Sequence, residues 1–140
     1  MNKTEAKQQV EAFFSSLGES ASLFEEKNYV QARIGETMVG FEFVAAEELL
    51  SAQALIYRFR SAPKDKILDA VFAEENEVNT GGGRVVFDSE NSAFYLQQDF
   101  IEKISEQNFY QEINNLAQAS LIWSSEILAQ AAEKANTNEA

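Results

Sequence analysis

The sequence has no cysteine and no histidine, and only one proline. Without cysteine the chain has no disulfide framework, no thiol nucleophile and no thiolate metal site. Without histidine it also lacks the commonest general base and metal ligand. These absences remove most hydrolase and zinc-enzyme chemistry, so we expect a protein that is not an enzyme, with no catalytic residue, no metal site and no cofactor.

Basic residues and long apolar runs are scarce as well. Eleven Lys and Arg stand against 23 Asp and Glu, which gives a formal net charge of -12 and a pI near 4.4. Such a field repels nucleic acid and anionic membrane surfaces. No apolar run approaches the roughly 18 residues of a membrane span, and the first residues show no signal-peptide core. We therefore expect a cytoplasmic protein with neither nucleic acid nor membrane among its partners.

The chain does contain the material for a hydrophobic core. Its 140 residues include eleven Phe, four Tyr and one Trp. A domain of this size buries about 70% of the surface that its unfolded chain exposes. The sequence predicts a single domain over residues 1–133 and a disordered tail over residues 134–140.

A hairpin followed by a long helix is the clearest local pattern, in RVVFDSENSAFYLQQDF and the residues after it. Val85 and Phe87 alternate with Arg84, Val86 and Asp88, and after a turn at residues 88–91 Phe94 and Leu96 alternate with Ala93, Tyr95 and Gln97. Period-two alternation around a polar turn is typical of two antiparallel strands. Later positions on one face recur every three or four residues, as a helix that covers a sheet requires; they are Phe109, Ile113, Leu116, Ser120, Trp123 and Ile127.

The rest of the chain completes an α+β pattern in the order α-β-β-β-α-β-β-α. Residues 4–17 have helical spacing between Thr4 as N-cap and Gly18 as stop signal. The segment AEELLSA is interpreted as a connecting turn, and Pro63 as the start of the second helix. The other predicted elements are one strand, possibly in two pieces, within residues 21–34, strands at 37–45 and 55–60, and a helix at 63–77. Half-exposed alternating strands favour an antiparallel sheet covered by helices.

Two loops resemble ligand sites only in part. TGGGR lacks the spacing and the Lys-Ser/Thr pair of a phosphate loop, so a flexible connector is the better interpretation. DSENSAFYLQQD has part of the spacing of a calcium loop, but Ala93 stands where that loop needs glycine. A hairpin turn fits this segment better.

The charged side chains do not form a recognisable constellation either. The carboxylates that could pair for acid-base or magnesium chemistry are Glu25, Glu26, Glu42, Glu47 and Glu48, at positions where solvated charge is the usual role. Arg58, Arg60 and Arg84 lie at strand positions, where cross-strand pairing with acidic residues is expected. None of these sets predicts catalysis.

Apolar stripes carry more information about function. Ile67, Leu68, Val71 and Phe72 form a narrow stripe on the second helix, and the last helix has a wide apolar face. Core packing explains most of this surface. The remainder could form a two-fold dimer or receive an unfolded segment of another protein, and edge strands could add a partner chain by backbone pairing.

The element order from Thr4 to about Ala131, and most of all the hairpin with its acidic turn and closing helix, resembles the type III secretion chaperones of the Tir-chaperone class and the wider YbjN-like fold family. The resemblance implies a homodimeric, ATP-independent cytoplasmic chaperone that holds a segment of a secreted protein in extended form. It also implies that the second helix and strand 84–88 form the dimer interface, through Ile67, Leu68, Val71, Phe72, Val85 and Phe87. The first helix and the sheet around residues 23–43 would hold the client, through Phe13, Phe14, Leu17, Leu23, Phe24, Val39 and Phe41.

Two hypotheses follow. The first is a small acidic non-catalytic chaperone or adaptor that binds an extended segment of a client protein. The second is a regulatory or small-ligand-binding domain of the same fold, with a pocket between the sheet and the last helix near Tyr57, Tyr95 and Trp123.

Overall fold

A five-stranded antiparallel sheet forms the centre of the molecule, and the long helices pack on one of its faces. The structure is a computed structural model that describes residues 1–21 and 23–137, without the side chains of Leu23 and Glu25. The helices are α1 (Lys3–Ser16), α2 (Leu23–Lys27), α3 (Asp65–Ala73), α4 (Glu106–Ile122) and α5 (Leu128–Thr137). The strands are β1 (Tyr29–Ile34), β2 (Thr37–Val44), β3 (Leu49–Arg58), β4 (Arg84–Asp88) and β5 (Ala93–Phe100). The predicted α+β class with an antiparallel sheet is confirmed.

The strands lie in the order β1-β2-β3-β5-β4, so β1 and β4 are the two edges. The predicted hairpin is β4 and β5, with β5 placed between β3 and the β4 edge. The register sets Val30 beside Phe41 and Phe41 beside Ala52, on the face that the helices cover. Because side chains alternate along a strand, the opposite face of the sheet carries a separate set of residues.

Helix α1 begins one residue earlier than its predicted N-cap. Asn2, not Thr4, is the cap: its side chain accepts from the Glu5 N–H while the Glu5 carboxylate accepts from the Asn2 N–H, a complete capping box. The helix ends at Ser16 with Leu17 as its C-cap, and Gly18 follows with φ +73°, a left-handed conformation that glycine adopts without strain. The predicted stop signal is therefore in place.

Two connections differ from the sequence-based prediction. Residues 23–27 form helix α2 rather than part of a strand, and the Lys3 ammonium donates to the Phe24 carbonyl at 3.0 Å. The segment AEELLSA is a turn only over Ala45–Glu47, and Glu48 reverses the chain with φ 52°. Strand β3 therefore starts at Leu49 instead of residue 55, because pairing with β2 and β5 on both sides outweighs the helix propensity of Leu and Ala.

The second predicted helix is shorter than its 63–77 prediction, as its acidic C-terminal residues suggested. Helix α3 ends at Ala73, after which the Asn76 side chain accepts from the N–H groups of Val78 and Asn79. Asparagine bonds of this kind stabilise a turn in competition with the helix.

The segment from residue 74 to residue 83 is packed against α4 and is not the free connector that its glycines suggest. A Cβ added to Gly81 would lie 2.6 Å from the carbonyl oxygen of Asn115, so only glycine allows this approach. Asn79 accepts from the indole N–H of Trp123 at 2.8 Å. The loop is thereby fixed to the helix that follows the hairpin.

The last helix is interrupted once. A π turn over Trp123–Ile127 separates α4 from α5, and Trp123 is fully buried there. Helix α5 continues to Thr137, with Ala135 buried and Lys134 paired to Glu74 at 2.7 Å. Helix α5 thus includes residues 134–137, the first four of the predicted tail, and residues 138–140 lie outside the described residues. In the described part of the chain, no helix is long and apolar enough to span a bilayer.

Candidate functional site

The residues predicted for a dimer interface lie together, at the β4 edge of the sheet beside α3. We call this set the α3–β4 surface: Ile67, Leu68, Val71, Phe72, Val85 and Phe87. Val71 and Val85 are buried within the chain itself, whereas Phe72 is 42% exposed. Ile67, Leu68 and Phe87 are partly buried against the core. A surface of this type has a buried support and one large apolar side chain facing outward.

Phe94 of strand β5 organises the rings at this end of the sheet. The ring of Phe72 packs edge-on against it with centroids 5.5 Å apart, and the ring of Phe87 lies 4.8 Å away. Phe59 makes a third contact at 6.0 Å. Edge-to-face and tilted contacts are the geometry that aromatic rings prefer. The exposed Phe72 ring is therefore held in place rather than free to turn.

The outer edge of β4 carries a local cap. The N–H of Val85 donates to the carboxylate of Glu75, at 2.5 Å, instead of to a neighbouring strand. Val85 faces Leu96 on β5, so an N–H that bonds to Glu75 points away from the sheet. Glu75 thus occupies one of the groups with which an incoming strand would pair.

The residues predicted to hold a client on α1 and its neighbours are nearly all interior. Phe13, Phe14, Phe24, Val39 and Phe41 are buried in the hydrophobic core. Leu17 is partly buried against that core, and the side chain of Leu23 lies outside the described residues. Phe13 and Phe14 lie on α1 and pack their rings onto Phe41 of the sheet, so these residues hold α1 against the sheet.

A groove runs between α1 and the first turns of α4. Its volume is about 230 Å³, and Ala12, Phe13, Ser16, Phe109 and Tyr110 contribute to its lining. The ring of Phe13 lies 5.7 Å from that of Phe109 and 5.9 Å from that of Tyr110, which is 46% exposed. This groove is the accessible part of the α1 region.

The face of the sheet turned away from the helices carries a second depression, of about 190 Å³. It is lined by Tyr29, Gln31, Met38, Gly40, Gln53, Leu55, Arg58 and Tyr95. Arg58 reaches this face because β3 has a bulge between Leu55 and Tyr57. A bulge adds one residue and so reverses the side on which the following side chains project. Simple alternation predicted the opposite side for Arg58, grouping it with Ile56.

Gly40 makes room for an aromatic ring in this depression. A Cβ at Gly40 would lie 2.6 Å from the hydroxyl oxygen of Tyr29, so the ring rests directly on the β2 backbone. The Tyr29 hydroxyl donates to Gln31 at 3.3 Å. Burial raises the pKa of Tyr29 above its ordinary value, and the nearby Tyr95 and Glu42 raise it further while Arg58 lowers it. The phenol therefore stays protonated and able to donate at neutral pH.

The pocket predicted near Tyr57, Tyr95 and Trp123 does not form. Trp123 is fully buried in the core under the helices, and Tyr95 lines the opposite face of the sheet. Tyr57 is exposed and packs edge-on against Phe59 at 4.9 Å. The sheet separates Tyr95 from Trp123, because alternation along β5 sends Tyr95 to the face opposite its neighbours Phe94 and Leu96.

The acidic hairpin turn is structural. Asp88 accepts from the side-chain amide of Asn91 at 2.7 Å and from the N–H of Glu90 at 3.0 Å. The Asn91 side chain is the largest cause that lowers the pKa of Asp88. Across residues 1–21 and 23–137 there is no group of three or more acidic side chains placed to hold a metal ion. Of the predicted arginine pairs, Arg84 bonds to Asp99 at 3.2 Å.

Solved structures of three complexes contain a chain with a similar arrangement. A chain in the crystal structure of the ExsC–ExsE complex has a TM-score of 0.70 at 15% identity, over 90% of this chain and 96% of that one. A chain of the HopA1–SchA chaperone–effector complex has a TM-score of 0.64 at 17% identity, over 87% and 94%. A chain of the heterodimeric ExoU–SpcU complex from the type III secretion system of Pseudomonas aeruginosa has a TM-score of 0.56 at 8% identity, over 82% and 94%. No protein-family model matches the sequence, and no curated protein matches it.

These likenesses span nearly the whole of each matched chain. Because the sequence identities are low, the likenesses show a shared fold and nothing further. The chain has a type III secretion chaperone-like fold, as the element order predicted.

Proposed function

We propose that the protein is a small acidic, non-catalytic chaperone or adaptor. It binds an extended segment of a client protein, and this client is a secreted effector. The observation that carries this proposal is the likeness in fold to chains of the HopA1–SchA chaperone–effector complex and of two further type III secretion complexes. The net charge of -12 adds to it, because an acidic protein favours neutral or basic client segments.

The homodimer is part of the same proposal and uses the α3–β4 surface. Phe72 projects from α3 with its ring held by Phe94, so little entropy is lost when it enters an interface. Large rigid aromatic side chains often dominate the binding free energy of interfaces. Two copies related by a two-fold axis would bring this surface against itself.

The client would bind at the other edge of the molecule, on β1 and beside α1. β1 pairs with β2 on one side only, which leaves its outer edge for an added strand. The groove between α1 and α4 lies on the helix-covered face of the same domain and can receive apolar side chains. The buried residues predicted for client binding, such as Phe13 and Phe41, then support this region from inside.

Purification of the tagged protein from its native host tests both parts at once. Light scattering should give the mass of a dimer with bound client, and mass spectrometry should identify one exported protein in stoichiometric amount. A monomer that carries no such protein would refute the proposal. The expected compartment in this scheme is the cytoplasm.

A small-ligand-binding domain of the same fold is the second candidate. The depression on the open face of the sheet favours it, because Arg58, Gln31, Gln53 and two tyrosine hydroxyls offer polar groups around an apolar floor. Tyrosine fluorescence titrated with small carboxylates would test it. A Phe substitution at Tyr95 should reduce the response, and an unchanged response would argue against this site.

A further inference from the structure

The amide of Gln9 is the most unusual polar group in the core. Gln9 is 1% exposed, although it lies on α1 among apolar residues such as Ala6, Val10 and Phe13. Its Oε1 accepts from the N–H of Ile104 at 2.8 Å. Its Nε2 is buried without a hydrogen-bond partner among the described residues. A buried donor left unpaired costs free energy, and such groups are rare in folded proteins.

The orientation of this amide is fixed by its neighbour. A main-chain N–H can only donate, so the atom that faces Ile104 must be the oxygen of the Gln9 side chain. A flip of the side-chain amide would place its NH₂ group against the Ile104 N–H, so it cannot give Nε2 a partner. Lys103 donates to Gln8 at 3.0 Å and holds the same loop against α1.

Gln9 lines the groove between α1 and α4. The same groove contains the first turn of α4, where Ser105 accepts from the Asn108 N–H and the helix dipole favours a further acceptor. Glu106 also lines it, so an anionic acceptor would be repelled. At about 230 Å³ the groove is smaller than the roughly 300 Å³ and above of most small-molecule pockets. These features fit one apolar side chain together with a neutral carbonyl.

We propose that Gln9 donates a hydrogen bond from Nε2 to a main-chain carbonyl of the client segment, at a residue whose aromatic or aliphatic side chain enters the groove between Phe13 and Tyr110. This inference rests on the proposed function and adds to it a positioning residue and a chemistry for the client. Because the rings of Phe13 and Tyr110 contact each other at 5.9 Å, entry of the segment requires the half-exposed Tyr110 ring to turn aside. A main-chain contact explains how one groove can hold segments of different sequence.

The probe is N-acetyl-phenylalanine amide, which carries both a ring and neutral carbonyls, and the measurement is the side-chain amide signal of Gln9 in ¹⁵N NMR spectra of the full chain. We expect a saturable downfield shift of this signal as the probe is added. Toluene, which has the ring alone, should leave the signal near its free position. No shift with the capped amino acid, or an equal shift with toluene, would overturn the inference.

Gln9→Glu is the matched variant, because it keeps the acceptor for the Ile104 N–H and removes the donor. It should bind the capped amino acid about fivefold more weakly or worse, the effect of losing one hydrogen bond in a buried site. Gln111→Glu makes the same charge change at an exposed position of α4 outside the lining of the groove and should bind as the parent does. Equal weakening in both variants would refute the role of the Gln9 donor.

If Gln9→Glu does not fold, the signal of the unmodified protein still decides the question. A failure of the chaperone proposal would be seen separately, in the light-scattering experiment.

Discussion

The two ends of the sheet are built from the same residue types but use them differently. On the β2 side, Phe13, Phe14, Phe41 and Phe109 pack against one another and are buried beneath α1 and α4. On the β4 side, Phe72 and Phe87 pack on Phe94 but remain partly open to solvent. Phenylalanine content alone therefore cannot distinguish core from surface. What distinguishes them is whether a long helix lies above the rings.

The covered and the open end of the sheet should also contribute to different properties, the covered end to stability and the open end to association. Removal of a ring from the covered end should destabilise the chain, whereas a change at the open end should alter how two chains meet. Substitutions at matched positions can test this division.

Phe41→Ala should produce the largest effect. Truncation of a fully buried Phe costs about 3–5 kcal/mol, whereas Phe72→Ala should cost only about 1 kcal/mol because the ring is already half exposed. Urea unfolding at one protein concentration measures both values. Equal losses for the two variants would contradict the division between a covered and an open end.

Phe72→Glu should separate the proposed dimer. An unpaired charge in an apolar interface should weaken association by about 100-fold, which sedimentation equilibrium can measure. Val78→Glu introduces the same charge at a residue that is 92% exposed and should leave the dimer intact. Val71 is a poorer site for this test, since it is fully buried and a charge there would disrupt the fold. A dimer that survives Phe72→Glu would exclude this interface.

Gly81→Ala should cost about 2–3 kcal/mol, because the residue has φ +60° and its new methyl group would meet the Asn115 carbonyl. Gly18→Ala is the control: φ is +73°, but no atom lies within 4 Å of the added carbon. It should cost about 1 kcal/mol from the left-handed conformation alone. Thermal unfolding of both variants gives the comparison, and equal costs would show that the loop can move away from α4.

Asp88→Asn should have the smallest effect, below about 0.5 kcal/mol, since the carboxylate is well solvated. Its lowered pKa means that the contribution is present above the unfolded pKa of about 3.9 and is lost as the pH falls through the folded value. The difference between the variant and the parent should therefore shrink as the pH is lowered below about 4. Asp69→Asn, on exposed α3, serves as the control in the same titration. A difference that grows in acid would contradict the assignment.

Much of the architecture could be predicted from local patterns. The alternation of Val85, Phe87, Phe94 and Leu96 predicted the hairpin because one face of each strand is buried. The spacing of Phe109, Ile113, Leu116 and Trp123 predicted the long helix for the same reason. Two of the errors, at residues 23–27 and at Leu49–Leu50, fall where short apolar pairs fit either period and tertiary pairing decides.

The site was harder to predict, because periodicity shows which face a residue occupies but not what covers that face. Phe13 and Phe41 lie on the expected face and are covered by the chain's own helices. The bulge in β3 also moved Arg58 to the face opposite the one that alternation assigned. Gln9 did leave a signal that the sequence analysis missed: it is a polar residue four positions before Phe13, within the apolar stripe of α1.

The unequal edges of the sheet have a consequence for growth. At β4 the carboxylate of Glu75 accepts the N–H of Val85, with which an incoming strand would otherwise pair. In the described residues β1 pairs with β2 on its inner side and with no strand on its outer side. A sheet that is blocked at its β4 edge and open at its β1 edge can accept an added strand at β1 only. Stacking without limit, the route by which unprotected sheets become fibres, needs two open ends.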